Sequence, residues 1–309
     1  MDRRAIPDGM RFSAWQAPDG WSLRRFAWPA AGAARGNLLF LGGRGDFVEK
    51  YLEALAHWHE AGWALAGFDW RGQGGSGRYL ADPLICHIPD FEPLLGDLDA
   101  FVRGWTAETQ GPHVVVAHSM GAQLTLRLLA RRPGLVDAAV LMAPMVGIRP
   151  LPAPLARTVA RLAILAGRRE RRIWEKDIGN VGGRMTSSPE RQEDKIWWKA
   201  MRPEIASGAP SWGWLKAACA SIAALPARDL GAIATPLLIL ASRHDPVIDI
   251  GALRRTAARL PAAELRLFEG KGHELLREAD RVRLPILAAI DAFLERAAPA
   301  DTKATAKMS

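Results

Sequence analysis

Short, largely apolar runs alternate along this chain with helix-length segments, and no other feature restricts the fold as much. The runs are Asn37–Leu41 (NLLFL), Trp63–Phe68 (WALAGF), His113–Ala117 (HVVVA), Ala138–Met142 (AAVLM), Pro236–Ala241 (PLLILA) and Leu265–Phe268 (LRLF), each bounded by Gly, Pro, Asp or Ser. A strand with one wet face reads as strict apolar–polar alternation. A run without polar gaps is covered on both faces, as in a parallel sheet. The segments Val48–Ala61, Glu92–Thr109, Gly121–Arg131 and Gly251–Arg259 carry helical patterns and supply that cover. The expectation is an α/β chain of right-handed strand–helix–strand units around a mostly parallel sheet with helices on both faces. Upstream, Arg11–Gln16 and Trp21–Trp28 flank APDG and read as an antiparallel hairpin on the sheet edge.

The alternation breaks once. A helix-to-strand step needs about 25–30 residues, but about 90 separate Pro144 from Pro236. Helical patterns at Leu155–Leu165, Arg191–Lys199 and Trp214–Ala224 fill the excess, which also holds five of the 12 Trp. This is read as an inserted helical cap over the carboxyl ends of the strands, where open α/β sheets bind ligands. The predicted organisation is a discontinuous core of residues 1–145 and 226–297, a cap of residues 146–225 and a disordered tail of residues 298–309. Leu284–Arg296 is the closing helix of the core.

Charge is concentrated in the same insertion. The chain carries 41 Lys and Arg against 33 Asp and Glu, net +8. From Arg149 to Glu204 there are 13 basic and 7 acidic residues, a net of +6, densest in GRRERRIWEK (Gly167–Lys176). Such a run is usually a solvated face, but it also suits peripheral contact with an anionic membrane surface. No nucleic-acid motif accompanies it, so no nucleic-acid partner is expected. Two cysteines, Cys86 and Cys219, make neither a disulfide framework nor a multi-Cys metal site. His57 and His59, two apart, point to different helix faces, so no metal pair is expected. The amino terminus has no apolar run of secretory length, so a cytoplasmic location is expected.

The run VVVAHSMGAQL sets Ser119 between a buried strand and a helix, in the pattern small-x-Ser-x-Gly (Ala117, His118, Ser119, Met120, Gly121). A sharp turn there strains the Ser backbone and lifts its Oγ above the sheet. Small residues two positions away on each side avoid a clash across the turn. The simpler alternative is a helix N-cap. A nucleophilic serine needs a base, and the base an orienting carboxylate. Strand PLLILA runs into SRHDPVID, which offers Asp245. Asp249 is the rival acid, better placed to cap Gly251–Arg259. Strand LRLF runs into EGKGHEL, which offers His273 as base. His118 and His244 lie beside the chemistry on loops unsuited to a base. The first strand leads into LGGRGDFVEKY, whose glycines permit close backbone approach. There the Arg44 N–H is the predicted oxyanion donor, with Gly43 as the alternative, beside the Met120 N–H at the following helix start.

Together the oxyanion loop LGGRGDFVEKY, the turn DWRGQGGS (Asp69–Ser76), the elbow AHSMG, the acid loop SRHDPVID and the histidine loop GKGHEL resemble the α/β-hydrolase fold. More narrowly they resemble its lysophospholipase/monoacylglycerol lipase branch. The cap segments RMTSSPERQEDKIWW and APSWGWLKAA are similar to those of bacterial lysophospholipase-like members. The resemblance runs from about Asn37 to Arg296, most of the chain. It implies Ser119 as nucleophile, Asp245 as acid, His273 as base, backbone donors at Arg44 and Met120, and a structural role for Asp69–Ser76. Two positions depart from the family pattern: Ala117 stands for the usual Gly, and Gly42-Gly43 for the common His-Gly.

The implied activity is a serine hydrolase that cleaves carboxylic esters through an acyl-enzyme, of lysophospholipase or monoacylglycerol lipase type, with no cofactor and no metal. Its substrate is a small acyl ester or lipid. The alternatives are an aminopeptidase or acyltransferase using the same triad, for which Glu170, Glu175 or Glu204 could meet a substrate amine, or a non-catalytic ligand receptor.

Overall fold

A computed structural model of the 309-residue chain describes residues 1–174, 185–225, 227–270 and 272–300. The expectations for Glu175, Lys176, Arg184 and the tail from residue 301 lie outside these.

The strands are β1 (Arg11–Gln16), β2 (Ser22–Trp28), β3 (Gly36–Leu41), β4 (Trp63–Phe68), β5 (His113–His118), β6 (Ala138–Met142), β7 (Leu237–Ser242) and β8 (Ala263–Phe268). They form one sheet in the order β1-β2-β4-β3-β5-β6-β7-β8. The β1–β2 hairpin joins β4 antiparallel, and every later pairing is parallel. The central strands β3, β6 and β7 are buried along their whole length, whereas the edge strands β1 and β8 have no fully buried residue. Gap-free runs therefore mark the middle of the sheet.

Successive side chains of a strand face opposite ways, and the core divides accordingly. Leu38, Phe40, Val114, Val116, Leu238 and Leu240 pack with Leu52, Leu55 and Trp58 of α1 (Leu52–Glu60) and with Ile286, Ile290 and Phe293 of α9 (Asp280–Ala297). Leu39, Leu41, Val115, Leu141 and Ile239 pack with α2 (Glu92–Glu108), α3 (Met120–Arg131) and α8 (Ile250–Ala257) through Leu98, Phe101, Leu124, Leu128 and Leu253. Each fully buried Leu, Ile or Phe contributes about 1.5–3 kcal/mol, so both helical layers are held by the strands they cover.

The boundaries shift for local reasons. Pro236 lies outside β7 because it has no N–H for the ladder, though its carbonyl accepts from the Ala139 N–H at 3.0 Å. Trp21 lies just before β2, its N–H on Asp19 Oδ1. The first predicted helix opens as a 3-10 turn, Val48–Tyr51, with the Val48 N–H on Asp69 Oδ1.

Between β6 and β7 lie α4 (Ala153–Leu165), α5 (Pro189–Met201), α6 (Trp212–Ala223) and α7 (Ala227–Leu230), the last not read from the sequence. α4 packs along α6. α5 is tied down by ion pairs: Arg191 with Glu53 and Asp280, Asp194 with Arg3 and Arg4. A strap, residues 204–211, crosses to the core. Arg78 donates to the Glu204 and Ala206 carbonyls, Arg44 to Gly208 O, and Cys86 pairs with the strap at Ala209 and Ser211. Among the described residues, no helix is long and apolar enough to cross a membrane.

Candidate active site

Loops leaving the carboxyl ends of β5, β7 and β8 converge. Ser119 follows β5 with φ 50° and ψ −109°, a conformation that side chains rarely adopt. Its N–H donates to Met142 O at 2.8 Å, and its carbonyl accepts from Gln123 and Met145, so the turn is fixed from both sides. The Oγ does not cap α3, which removes the N-cap alternative. A Cβ at Gly121 would stand 2.5 Å from Gly42 O, which is why that position is glycine. Ala117, at the other small position, fits fully buried.

His273 Nε2 lies 3.0 Å from Ser119 Oγ, and its Nδ1 lies 2.8 Å from Asp245 Oδ2. The other Asp245 oxygen accepts from the Val247 and Ile248 N–H groups at 2.7 and 3.0 Å. The acid is thus aimed by its own loop. Asp249 instead caps α8, accepting from Gly251 and Ala252. Burial disfavours a charged His273, but the Asp245 carboxylate outweighs it and raises the imidazole pKa above its ordinary value. Burial likewise works against the Asp245 carboxylate, which the His273 contact and the two N–H groups nonetheless hold below its usual range. Ser119, Asp245 and His273 are 7, 1 and 2% exposed, so all three are buried. The Met185 carbonyl accepts the His273 and Glu274 N–H groups.

The oxyanion loop is held from beneath. The Gly43 N–H donates to Asp46 Oδ2 at 2.7 Å, which removes Gly43 as the alternative donor. The Gly45 N–H donates to Gln73 Oε1, and Gln73 Nε2 donates to Gly43 O. Arg44 is left between two restrained glycines. Among the described residues, neither its N–H nor that of Met120 has a protein acceptor. The turn Asp69–Ser76 therefore reaches the site through buried Gln73.

Sequence reasoning missed the polar layer below. Asp46 Oδ2 also accepts from Tyr51 OH at 2.8 Å and lies 3.2 Å from His118 Nδ1. The His118 Nε2–H donates to the His273 carbonyl at 3.1 Å. Lys50 bridges Asp46 and Glu274, and Arg277 pairs with Glu274. Burial alone would raise both carboxylates, yet Lys50 with His118, and Lys50 with Arg277, keep Asp46 and Glu274 well below the usual range. One buried carboxylate thus connects the oxyanion loop, the nucleophile elbow and the histidine loop. The signal was present as Asp46 four residues before Lys50, but its partners are far away in sequence.

The remaining candidates fall elsewhere. His57 meets Asp291, and His59 stacks on Trp28. Glu204 pairs with Arg202, and Glu170 is exposed. Among the described residues no His, Cys, Asp and Glu cluster could hold a metal.

The family profile described as "Serine aminopeptidase, S33" matches residues 32–280. The "Lysophospholipase L2" of Escherichia coli K12 is 33% identical over 277 residues, covering 82% of this chain and 78% of that protein. The "Probable lysophospholipase L2" of Haemophilus influenzae is 26% identical over 268 residues, covering 85 and 84%. Among solved structures, a soluble variant of monoglyceride lipase from Saccharomyces cerevisiae with a substrate analogue superposes with a TM-score of 0.73. It is 17% identical and covers 96% of this chain and 98% of its own, a likeness of fold.

Proposed function

Because the chain belongs to the serine aminopeptidase S33 family of α/β-hydrolases, a carboxylic ester hydrolase by its relatives, we propose that Ser119, Asp245 and His273 form its catalytic triad. The observation that carries this is the continuous, buried hydrogen-bonded chain from Ser119 Oγ through His273 to Asp245. His273 takes the Ser119 proton, and Oγ attacks the acyl carbonyl. The Arg44 and Met120 N–H groups hold the oxyanion. The alcohol leaves with the proton from His273, and water, activated by the same imidazole, releases the fatty acid from the acyl-enzyme.

The substrate proposed is a lysophospholipid or monoacylglycerol, with residues 146–225 acting as a cap over the acyl chain. Support comes from the names of the relatives and from the cap itself. α4 turns Leu155, Leu162 and Leu165, 50, 61 and 84% exposed, to solvent beside exposed Arg161, Arg168, Arg169 and Arg171. Exposed apolar and arginine side chains on one segment suit an anionic lipid interface. Arg172 is paired with Asp82 and stays out of this patch. Changing Arg168, Arg169 and Arg171 to Gln is expected to weaken co-sedimentation with vesicles containing phosphatidylglycerol by at least fivefold at low salt. Unchanged binding contradicts the contact. For a peptide-amine site, Glu204 pairs with Arg202, Glu170 is exposed and Glu175 lies outside the described residues, so that alternative gains little support.

The raised His273 pKa sets a pH dependence. Only neutral imidazole can take the Ser119 proton, so kcat/KM falls as pH drops through the His273 pKa. That acid limb is expected above histidine's ordinary value of about 6.5. Removing the Asp245 charge removes what raises it, so Asp245→Asn moves the limb down in pH as well as lowering the plateau. An unmoved limb speaks against this pairing.

The direct test is fatty acid release by the purified protein from lysophospholipid, monoacylglycerol and a short p-nitrophenyl ester. Release from a long-chain lipid supports the reading. Turnover of the short ester alone overturns the lipid assignment.

A further inference from the structure

Two arginines from core loops meet the strap of residues 204–211, and they differ in one respect. Arg78 is saturated: its guanidinium donates to the carbonyls of Gly74, Gly77, Pro83, Glu204 and Ala206. It is a clamp. Arg44 makes one such bond, to Gly208 O at 3.2 Å. It also meets the face of Trp214, with the ring centre 5.6 Å from Cζ, and the Cys86 thiol, whose pKa burial raises. Among the described residues no carboxylate lies within ion-pair distance of Arg44. A half-buried guanidinium with most of its N–H groups unspent and no counter-charge is a binding group awaiting an anion.

A second observation lies in the same wall. Trp214 is 95% buried by its 5% exposure, yet its indole N–H has no acceptor among the described residues. An orphaned buried donor calls for a reason. The basic run also arrives here, since the Trp212 and Gly213 N–H groups donate to the Arg171 and Arg169 carbonyls.

Covalent connectivity bounds how far the anion can lie from the reacting carbon. If the Arg44 N–H holds the ester oxygen, the Arg44 side chain starts at the reaction centre. From its backbone N to Cζ there are as many bonds as from an ester carbonyl carbon, through the glycerol, to the phosphorus of a lysophospholipid. Resting on the reading above, we propose that the Arg44 guanidinium is the specificity determinant of this site and binds the phosphate of a glycerophospho head group attached to the ester that Ser119 opens.

Arg44→Met and Arg44→Lys test it. Arg44 also belongs to the oxyanion loop, so both substrates lose some rate; the readout is their ratio. In Arg44→Met, kcat/KM for lysophospholipid relative to monoacylglycerol is expected to fall at least tenfold, mostly through KM, with partial recovery in Arg44→Lys. Glycerol 3-phosphate is expected to inhibit short-ester hydrolysis by wild type, and Arg44→Met to weaken that inhibition at least tenfold. An unchanged ratio with unchanged inhibition overturns the assignment and leaves the lipid reading intact. Inorganic phosphate inhibiting as well as glycerol 3-phosphate makes this a free-phosphate site and overturns the head-group claim. If neither lipid is hydrolysed but Arg44-dependent inhibition persists, the lipid reading fails and the phosphate site stands.

Discussion

Ser119→Ala is expected to lower kcat/KM for an acyl ester by roughly 10⁵-fold, as removal of a nucleophile does where base and oxyanion donors act through it. The fold should survive. The Oγ caps nothing and, among the described residues, its one side-chain partner is His273, so the melting temperature should stay near that of wild type. The strain belongs to the backbone, because φ 50° with ψ −109° is imposed on a residue with a Cβ. Such a conformation costs about 1–3 kcal/mol, and glycine escapes most of it. Ser119→Gly should therefore be as inactive as Ser119→Ala but about 1 kcal/mol more stable than it in urea unfolding. Equal stability of the two variants would mean that the elbow is not strained.

The second large effect is expected at Asp46. Truncation to Ala strands the Gly43 N–H, the Tyr51 hydroxyl, His118 and one side of Lys50 in a buried layer. Breaking one member of a buried charge network costs about 3–5 kcal/mol. Activity should fall too, for a reason apart from stability: the oxyanion loop and the carbonyl of His273 share this carboxylate as their support, directly and through His118. A displacement near 1 Å costs on the order of 10²-fold. The loss should appear in kcat more than in KM, measured on the short ester well below the variant's melting temperature. Tyr51→Phe, which removes one hydrogen bond, should cost about 1 kcal/mol and little rate. If Asp46→Ala is destabilised but keeps full kcat, Asp46 serves only the fold.

The contrast between these sites explains what could be read in advance. The strands were legible because burial on both faces leaves no polar gaps. The meeting of Ser119, Asp245 and His273 was legible because the first two follow such strands and the third follows the edge strand β8, in a known order. The layer around Asp46 was not. The Asp46–His118 contact spans 72 positions and the Lys50–Glu274 contact 224, and neither periodicity nor spacing encodes an ion pair between distant segments. The same holds for Gln73, which looked like a turn residue and braces the oxyanion loop, and for α5, seated on the amino-terminal Arg3 and Arg4. Arg44 was legible for its backbone alone, and only the strap above it gives its side chain a context.

The central claim is that an acyl group passes through Ser119. The most direct measurement is rapid acid quenching of the enzyme during turnover of a long-chain ester, followed by peptide mass mapping. An acyl adduct on the peptide carrying Ser119, accumulating with the first burst of alcohol and absent from Ser119→Ala, is the predicted result. Steady hydrolysis that leaves Ser119 unmodified, and that persists in Ser119→Ala, would contradict it.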